Sequence, residues 1–114
     1  MKYLLLIYHN DQQFWSMPDD AKQKVYMDFR ALREELVTSG KWVAGSQLKP
    51  ASTATTVRVK NEKPLTTDGP FAETKEQLGG FFMVETETRE EAEAIAARIP
   101  SARLGSIEVR ELAQ

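Results

Sequence analysis

The sequence contains no cysteine, which removes disulfides, thiolate metal sites and cysteine nucleophiles at once. Histidine is almost as scarce, with a single copy at position 9, so any metal centre would have to be rich in carboxylates, and none is expected. Neither sign of charge dominates. Fifteen Lys and Arg against 17 Asp and Glu leave a net charge of −2 and a pI near 5.5, without the clustered basic residues of a nucleic-acid surface. Long apolar runs are missing too: nothing approaches the roughly 20 residues of a membrane span. The apolar start after Lys2 ends at His9-Asn10-Asp11, too short for a signal peptide and with no small-residue cleavage site behind it. No nucleophile elbow occurs, and Gly79-Gly80 precedes a strand instead of opening a helix, so it is no phosphate loop. These absences predict a cytoplasmic protein with no cofactor, no membrane and no nucleic-acid partner.

What remains is a chain of 114 residues, the size of one domain (1–114), long enough to bury about two thirds of its unfolded surface. Tyr3 to Tyr8 is continuously apolar and reads as a strand buried on both faces. His9 to Gln13 reads as a loop, and Phe14 to Met17 leads into a helix with Pro18 at its first position and Asp19 and Asp20 at its positive end. Val25, Phe29, Leu32 and Leu36 form one apolar stripe, and Gly40 ends the helix. Trp42 to Leu48 reads as a strand near an edge, with Trp42, Ala44, Ser46 and Leu48 on one face. Thr55 to Lys60 alternates as a half-exposed strand does; Asn61-Glu62 turns it and Leu65 to Thr67 returns as a hairpin. Phe81 to Val84 is the second fully apolar strand. Thr88 to Glu91 has the form of a capping box before the helical stripe Ala92, Ile95, Ala96 and Ile99, and Ile107 and Val109 mark a last strand.

With the hairpin set aside as an insertion, the order is βαββαβ, a ferredoxin-like α+β fold. The first and third strands of that fold are central, and here they are the two runs apolar on both faces. Helices cover only one face of such a sheet. The other face, with aromatics from Phe81-Phe82, exceeds the apolar patch a monomer normally exposes, so a homodimer joined sheet to sheet is expected.

The densest stretch runs from Asp68 to Phe82. Gly69 can take φ > 0 and Pro70 fixes its own φ, which sets a rigid turn. Pro70 also suits the start of a short helix that Gly79 or Gly80 would stop. The N–H that a turn aspartate usually engages is missing at Pro70, so Asp68 reaches further, meets a distant group or points to solvent. A structural and a site reading of Asp68 both stand. His9, at a strand end, can act as acid or base near neutral pH, and Asp68 would orient it if the hairpin folds over that end. Tyr8, Gln47, Arg58, Lys75 and Arg103 are candidate polar lining of a small-molecule cavity. Trp42 and Phe71 are candidate walls, or plain core. Tyr8 and His9 share a pocket only if the strand ends at Tyr8.

The block Asp68-Gly69-Pro70-Phe71 through Gly79-Gly80-Phe81-Phe82, with Lys2 to Tyr8, Ala54 to Val59 and Gly105 to Arg110, resembles the DGPF or YCII-related family along nearly the whole chain. The resemblance implies a dimeric α/β barrel with no settled activity. It also implies a histidine–aspartate pair whose histidine lies near the start of the first helix. This chain has Met17-Pro18-Asp19-Asp20 there, so only the aspartate carries over, onto Asp68. Three functions follow: a cofactor-independent acid/base enzyme using Asp68 with His9, a ligand carrier, or a non-catalytic regulatory module. The last is implied by the family's association with sigma-factor-controlled stress responses.

Overall fold

The computed structural model describes residues 1–113. Strands β1 (Lys2–His9), β2 (Trp42–Gln47), β5 (Gln77–Glu85) and β6 (Ser106–Glu111) form a four-stranded antiparallel sheet in the order β2-β5-β1-β6. The two apolar runs are therefore the central strands, as their composition requires: a strand flanked on both sides and covered on one face exposes little of either. Helices α1 (Asp11–Trp15), α2 (Asp19–Thr38) and α3 (Arg89–Arg98) complete the βαββαβ order, and strands β3 (Thr55–Lys60) and β4 (Lys63–Asp68) form the inserted hairpin. None of the helices is long and apolar enough to cross a membrane.

Alternation along β1 decides which side chains meet the helices. Tyr3, Leu5, Ile7 and His9 are buried, whereas Leu4, Leu6 and Tyr8 are half-buried on the opposite face. Register carries the pattern across to β5, where Val84 lies opposite Tyr3, Phe82 opposite Leu5 and Gly80 opposite Ile7. The core joins Tyr3, Leu5, Phe82 and Val84 to Leu32 and Leu36 of α2 and to Ala92, Ile95, Ala96 and Ile99 at α3, with Ile107 and Val109 of β6 against it.

Local chemistry sets the helix ends. Pro18 is the N-cap of α2, with acidic Asp19 and Asp20 in its first turn. Past its C-cap, Gly40 takes φ 74°, the Gly40 N–H donates to Val37 O and the Lys41 N–H donates to Leu36 O, a Schellman ending. At α3, Thr88 accepts the Glu91 N–H as expected of a cap, but the Glu91 carboxylate pairs with Lys41 at 3.3 Å instead of completing the box.

Four expectations need correction. The segment from Pro70 to Glu76 is not helical, and Gly79 and Gly80 lie inside β5, where they serve as space instead of as a helix stop. Asp11 to Trp15, expected as loop and lead-in, forms a short helix capped by Asn10, whose side chain accepts the Gln13 N–H. In β2 a bulge at Val43 shifts the faces, so Trp42 shares its side with Gly45 and Gln47 instead of with Ala44 and Ser46. Finally, β3 is half-exposed in pattern only: Val57 and Val59 are both well exposed, because the hairpin forms a two-stranded sheet of its own, unpaired with the main sheet among the described residues. Its turn follows the sequence, with Asn61 and Glu62 both at positive φ, as a two-residue hairpin needs.

Candidate functional site

On the helix-covered face β5 runs Val84, Phe82, Gly80, so its side chains vanish towards the His9 end of the sheet. The same happens on β2, where Gly45 lies opposite Phe82. Two large rings occupy the vacated ground. A Cβ on Gly45 would come within 2.3 Å of the Trp42 indole, and a Cβ on Gly79 within 2.4 Å of the His9 imidazole. Neither ring can lie where it does over any other residue type.

α2 closes the space from above. Beside its core stripe runs a second one, Tyr26, Phe29, Arg30 and Arg33, and between this stripe and the sheet lies a cavity of about 360 Å³. That is ample for a small ligand, near the lower end of the range for such pockets. Trp42 packs edge-on against Phe82 at 4.8 Å between centroids, Phe29 does the same at 5.9 Å, and the Arg33 guanidinium lies 5.4 Å over the indole. The Gln47 amide donates to the Tyr26 hydroxyl at 3.3 Å.

His9 forms the wall at the strand end and is only 4% exposed. Phe14 of α1 stacks on the imidazole at 4.7 Å with the rings 10° from parallel. Its Nε2 meets Asp11 Oδ1 at 3.0 Å. Asp11 is itself held at two further points: the Ala51 N–H donates to Oδ2 at 2.7 Å, and its own N–H donates to the Gln77 side-chain oxygen at 2.9 Å. An ionised carboxylate only accepts, so Nε2 is the nitrogen that donates to Asp11, and in the neutral form of the ring the lone pair lies on Nδ1. Nδ1 is buried with no hydrogen-bond partner, the sole such side-chain atom among the described residues. A buried ring nitrogen left unmatched is costly to maintain, at about 1–3 kcal/mol.

The structure brings together part of the expected site. His9, Trp42 and Gln47 line the cavity. Tyr8 does not, because β1 continues through His9 and the two side chains point to opposite faces. Phe71, at 78% exposure, is neither core nor cavity wall. Arg103 is exposed on the turn after α3, Arg58 is exposed on the hairpin, and Lys75 contributes only its carbonyl, which accepts from Asn10. The carboxylate against His9 is that of Asp11, not Asp68. Asp68 sits exposed at the end of β4 opposite Thr55, and Gly69 beside it takes φ 94°. The turn is held by backbone instead, as the Gly69 N–H donates to Ala54 O and the Gly69 carbonyl accepts from Thr56.

Asp11, Phe14, Tyr26, Arg30 and Arg33 went unremarked in the sequence. The second stripe of α2 carried a signal, since Tyr26, Arg30 and Arg33 have helical spacing. Asp11 carried little, because two residues past a strand end a side chain can point anywhere.

Comparison with known proteins matches this geometry to a family. The pattern of the YCII-related domain fits residues 1–114. An uncharacterized protein of Rhizobium meliloti, R00369, is 36% identical over 117 residues, covering 99% of this chain and 93% of that one. Among solved structures, the 5-chloro-2-hydroxyhydroquinone dehydrochlorinase TftG of Burkholderia phenoliruptrix, in complex with 2,5-dihydroxybenzoquinone, superposes with a TM-score of 0.60 at 16% identity. That match covers 100% of this chain and 95% of the neighbour. That likeness extends to this chain as fold alone, a mixed α+β fold with antiparallel sheets. With the pattern matched from end to end and a relative alike over nearly its whole length, the chain belongs to the YCII-related family.

Proposed function

We propose that the protein binds a small molecule in the cavity between α2 and the sheet and moves a proton on it without a cofactor, with His9 as the acid/base group and Asp11 as the residue that orients it. The observation that carries this reading is His9 lining the cavity with its Nδ1 unpartnered, the opposite nitrogen occupied by a carboxylate that is itself held by the Ala51 N–H. A base needs one nitrogen free and the other fixed. TftG, by its name, removes chloride from a small hydroxylated ring; this supports a small-molecule role for the fold and leaves the reaction here to be read from the residues.

The test is a titration with small-molecule fragments followed by NMR. Shifts clustered at His9, Trp42, Tyr26 and Gln47 are expected, whereas shifts elsewhere, or none, overturn the reading. Long-range proton–nitrogen spectra of the imidazole provide a second readout: Asp11→Asn should disturb the Nε2–H tautomer, and Asp68→Asn should leave it in place.

The active unit in this reading is a homodimer. Leu4, Leu6 and Tyr8 of β1 and Phe81 and Met83 of β5 form a half-buried apolar face with no helix over it, and a second copy joined sheet to sheet would cover it. The exposed Val57, Val59 and Leu65 of the hairpin add apolar surface that the chain does not use on itself. Sedimentation at micromolar concentration should give a dimer; a monomer would undo this part of the reading.

A further inference from the structure

The cavity's charge is one-sided. Arg30 and Arg33 stand one turn apart on the stripe of α2 that forms its roof, and no Asp or Glu lines it. Elsewhere Arg89 pairs with Glu93, Arg98 with Glu35 and Arg110 with Glu108, while Arg58 and Arg103 are exposed away from the cavity without an acidic partner among the described residues. Among the described residues, Arg30 and Arg33 have no such partner. Asp11, the carboxylate against His9, is engaged by His9 and the Ala51 N–H. The remaining walls are aromatic: Trp42, Phe29 and Phe82 present ring surface, with Trp42 and Phe29 each edge-on to Phe82.

From this we infer the ligand class: a small planar carboxylate, of the size and shape of a hydroxylated benzoate. Its carboxylate would be held by Arg30 and Arg33, its ring would lie against Phe29 and Phe82, and a hydroxyl would be directed to the wall formed by His9. The inference rests on the cavity being the binding site, as proposed above. A guanidinium fork matches a carboxylate in two parallel hydrogen bonds, and its face stacks on aromatic rings, as Arg33 already does on Trp42. The three features select together: the arginines select charge, the aromatic walls select a ring, and the His9 wall selects a hydroxyl at the far end.

The test titrates the full-length protein with 4-hydroxybenzoate, its neutral isostere 4-hydroxybenzamide, and inorganic phosphate, with affinities read by calorimetry and the site by NMR. The benzoate should bind at least about tenfold more tightly than the amide, the scale set by hydrogen bonds to a charged group. Arg30→Gln and Arg33→Gln should each erase most of that preference while leaving amide binding little changed. Arg103→Gln, an exposed arginine outside the cavity, should leave both affinities intact. Equal binding of benzoate and amide at the cavity overturns the inference and leaves the small-molecule reading standing. Binding of neither ring there overturns both, and phosphate binding as tightly as benzoate shows the arginines to be a general anion site and overturns the planar selection. A preference for benzoate that survives loss of both arginines also overturns it.

Discussion

At one end of the helix-covered face, Tyr3, Leu5 and Val84 are essentially without solvent contact beneath α2 and α3. At the other end, the same two strands present His9, Gly79 and Gly80 beneath α2, and a cavity remains. Pairing of β1 with β5 runs through both ends, regular as far as Ile7 and with a bulge at Gly79 at the open end. The difference lies in side-chain volume. Leucine, phenylalanine and valine fill the gap between helix and sheet at the closed end. At the open end glycine leaves the gap to two rings and a void. Stability is concentrated at the first end and chemistry at the second, and substitutions should separate them.

The largest effect is expected at the closed end. Leu5 is fully buried, and Leu5→Ala deletes methyl groups from a site that cannot collapse, at a cost of about 2–5 kcal/mol. Urea unfolding would measure it. The geometry of the His9–Asp11 pair should survive in the folded fraction, so the imidazole tautomer read by NMR should not change. If it does, the two ends are coupled more tightly than their packing implies.

Next comes Asp11→Ala at the open end. It removes a charged acceptor shared by His9 and the Ala51 N–H, and hydrogen bonds to charged groups contribute about 1.5–3 kcal/mol each. The comparison is sharpened if stability falls within that range while the tautomer preference of His9 is lost. A stability loss with the tautomer intact would mean that Asp11 only anchors the loop.

Gly79→Ala reverses the logic by adding volume where volume is missing. The new methyl group would meet the His9 ring at 2.4 Å, so the ring must move, and overpacking of this kind costs about 1–3 kcal/mol. The cavity beside the ring gives it somewhere to go, which places the stability cost towards the low end. Ligand binding should suffer more than folding does. Equal loss of both, seen by parallel unfolding and titration, would show that the open end is packed as tightly as the closed one.

Much of the fold was legible because it rests on patterns with a single reading. Runs apolar on both faces can lie only mid-sheet, and the stripes of α2 and α3 can face only a core. The glycines were the reverse. A glycine pair after a polar run is the ordinary mark of a helix end, and nothing local distinguishes that from a pair placed to leave room for His9 and a ligand. The distinction exists only across strands, where Gly79 meets a residue 70 positions earlier. The aspartate shows the same limit. Asp68 drew attention through its unusual turn, yet the turn is satisfied by backbone and the hairpin stays clear of the sheet. Asp11 became the partner of His9 because a short helix, too brief to show periodicity, swings it back over the strand end.

The smallest effect should come from the ion pair between Glu35 on α2 and Arg98 on α3, at the closed end. The hydrogen bond from Arg98 holds the Glu35 carboxyl below its ordinary value of 4.5, against a weaker opposing effect of desolvation. A carboxyl with a depressed folded-state value stabilises the protein above its unfolded value and loses that contribution as pH falls through the folded one. Glu35→Gln should therefore lower stability slightly at neutral pH, and the difference from the parent protein should shrink only once pH drops below about 4.5. Both side chains are about half exposed, so salt should shrink it as well. Thermal unfolding across pH, run beside a ligand titration at neutral pH, sets the two ends against each other. The stability difference should follow the titration of Glu35 while the affinity of the cavity stays level, because α2 lines the cavity through Arg30 and Arg33 and reaches α3 through Glu35, on a different face. An affinity that moved with Glu35 would show α2 transmitting strain along its length, and the division between a closed and an open end would not hold.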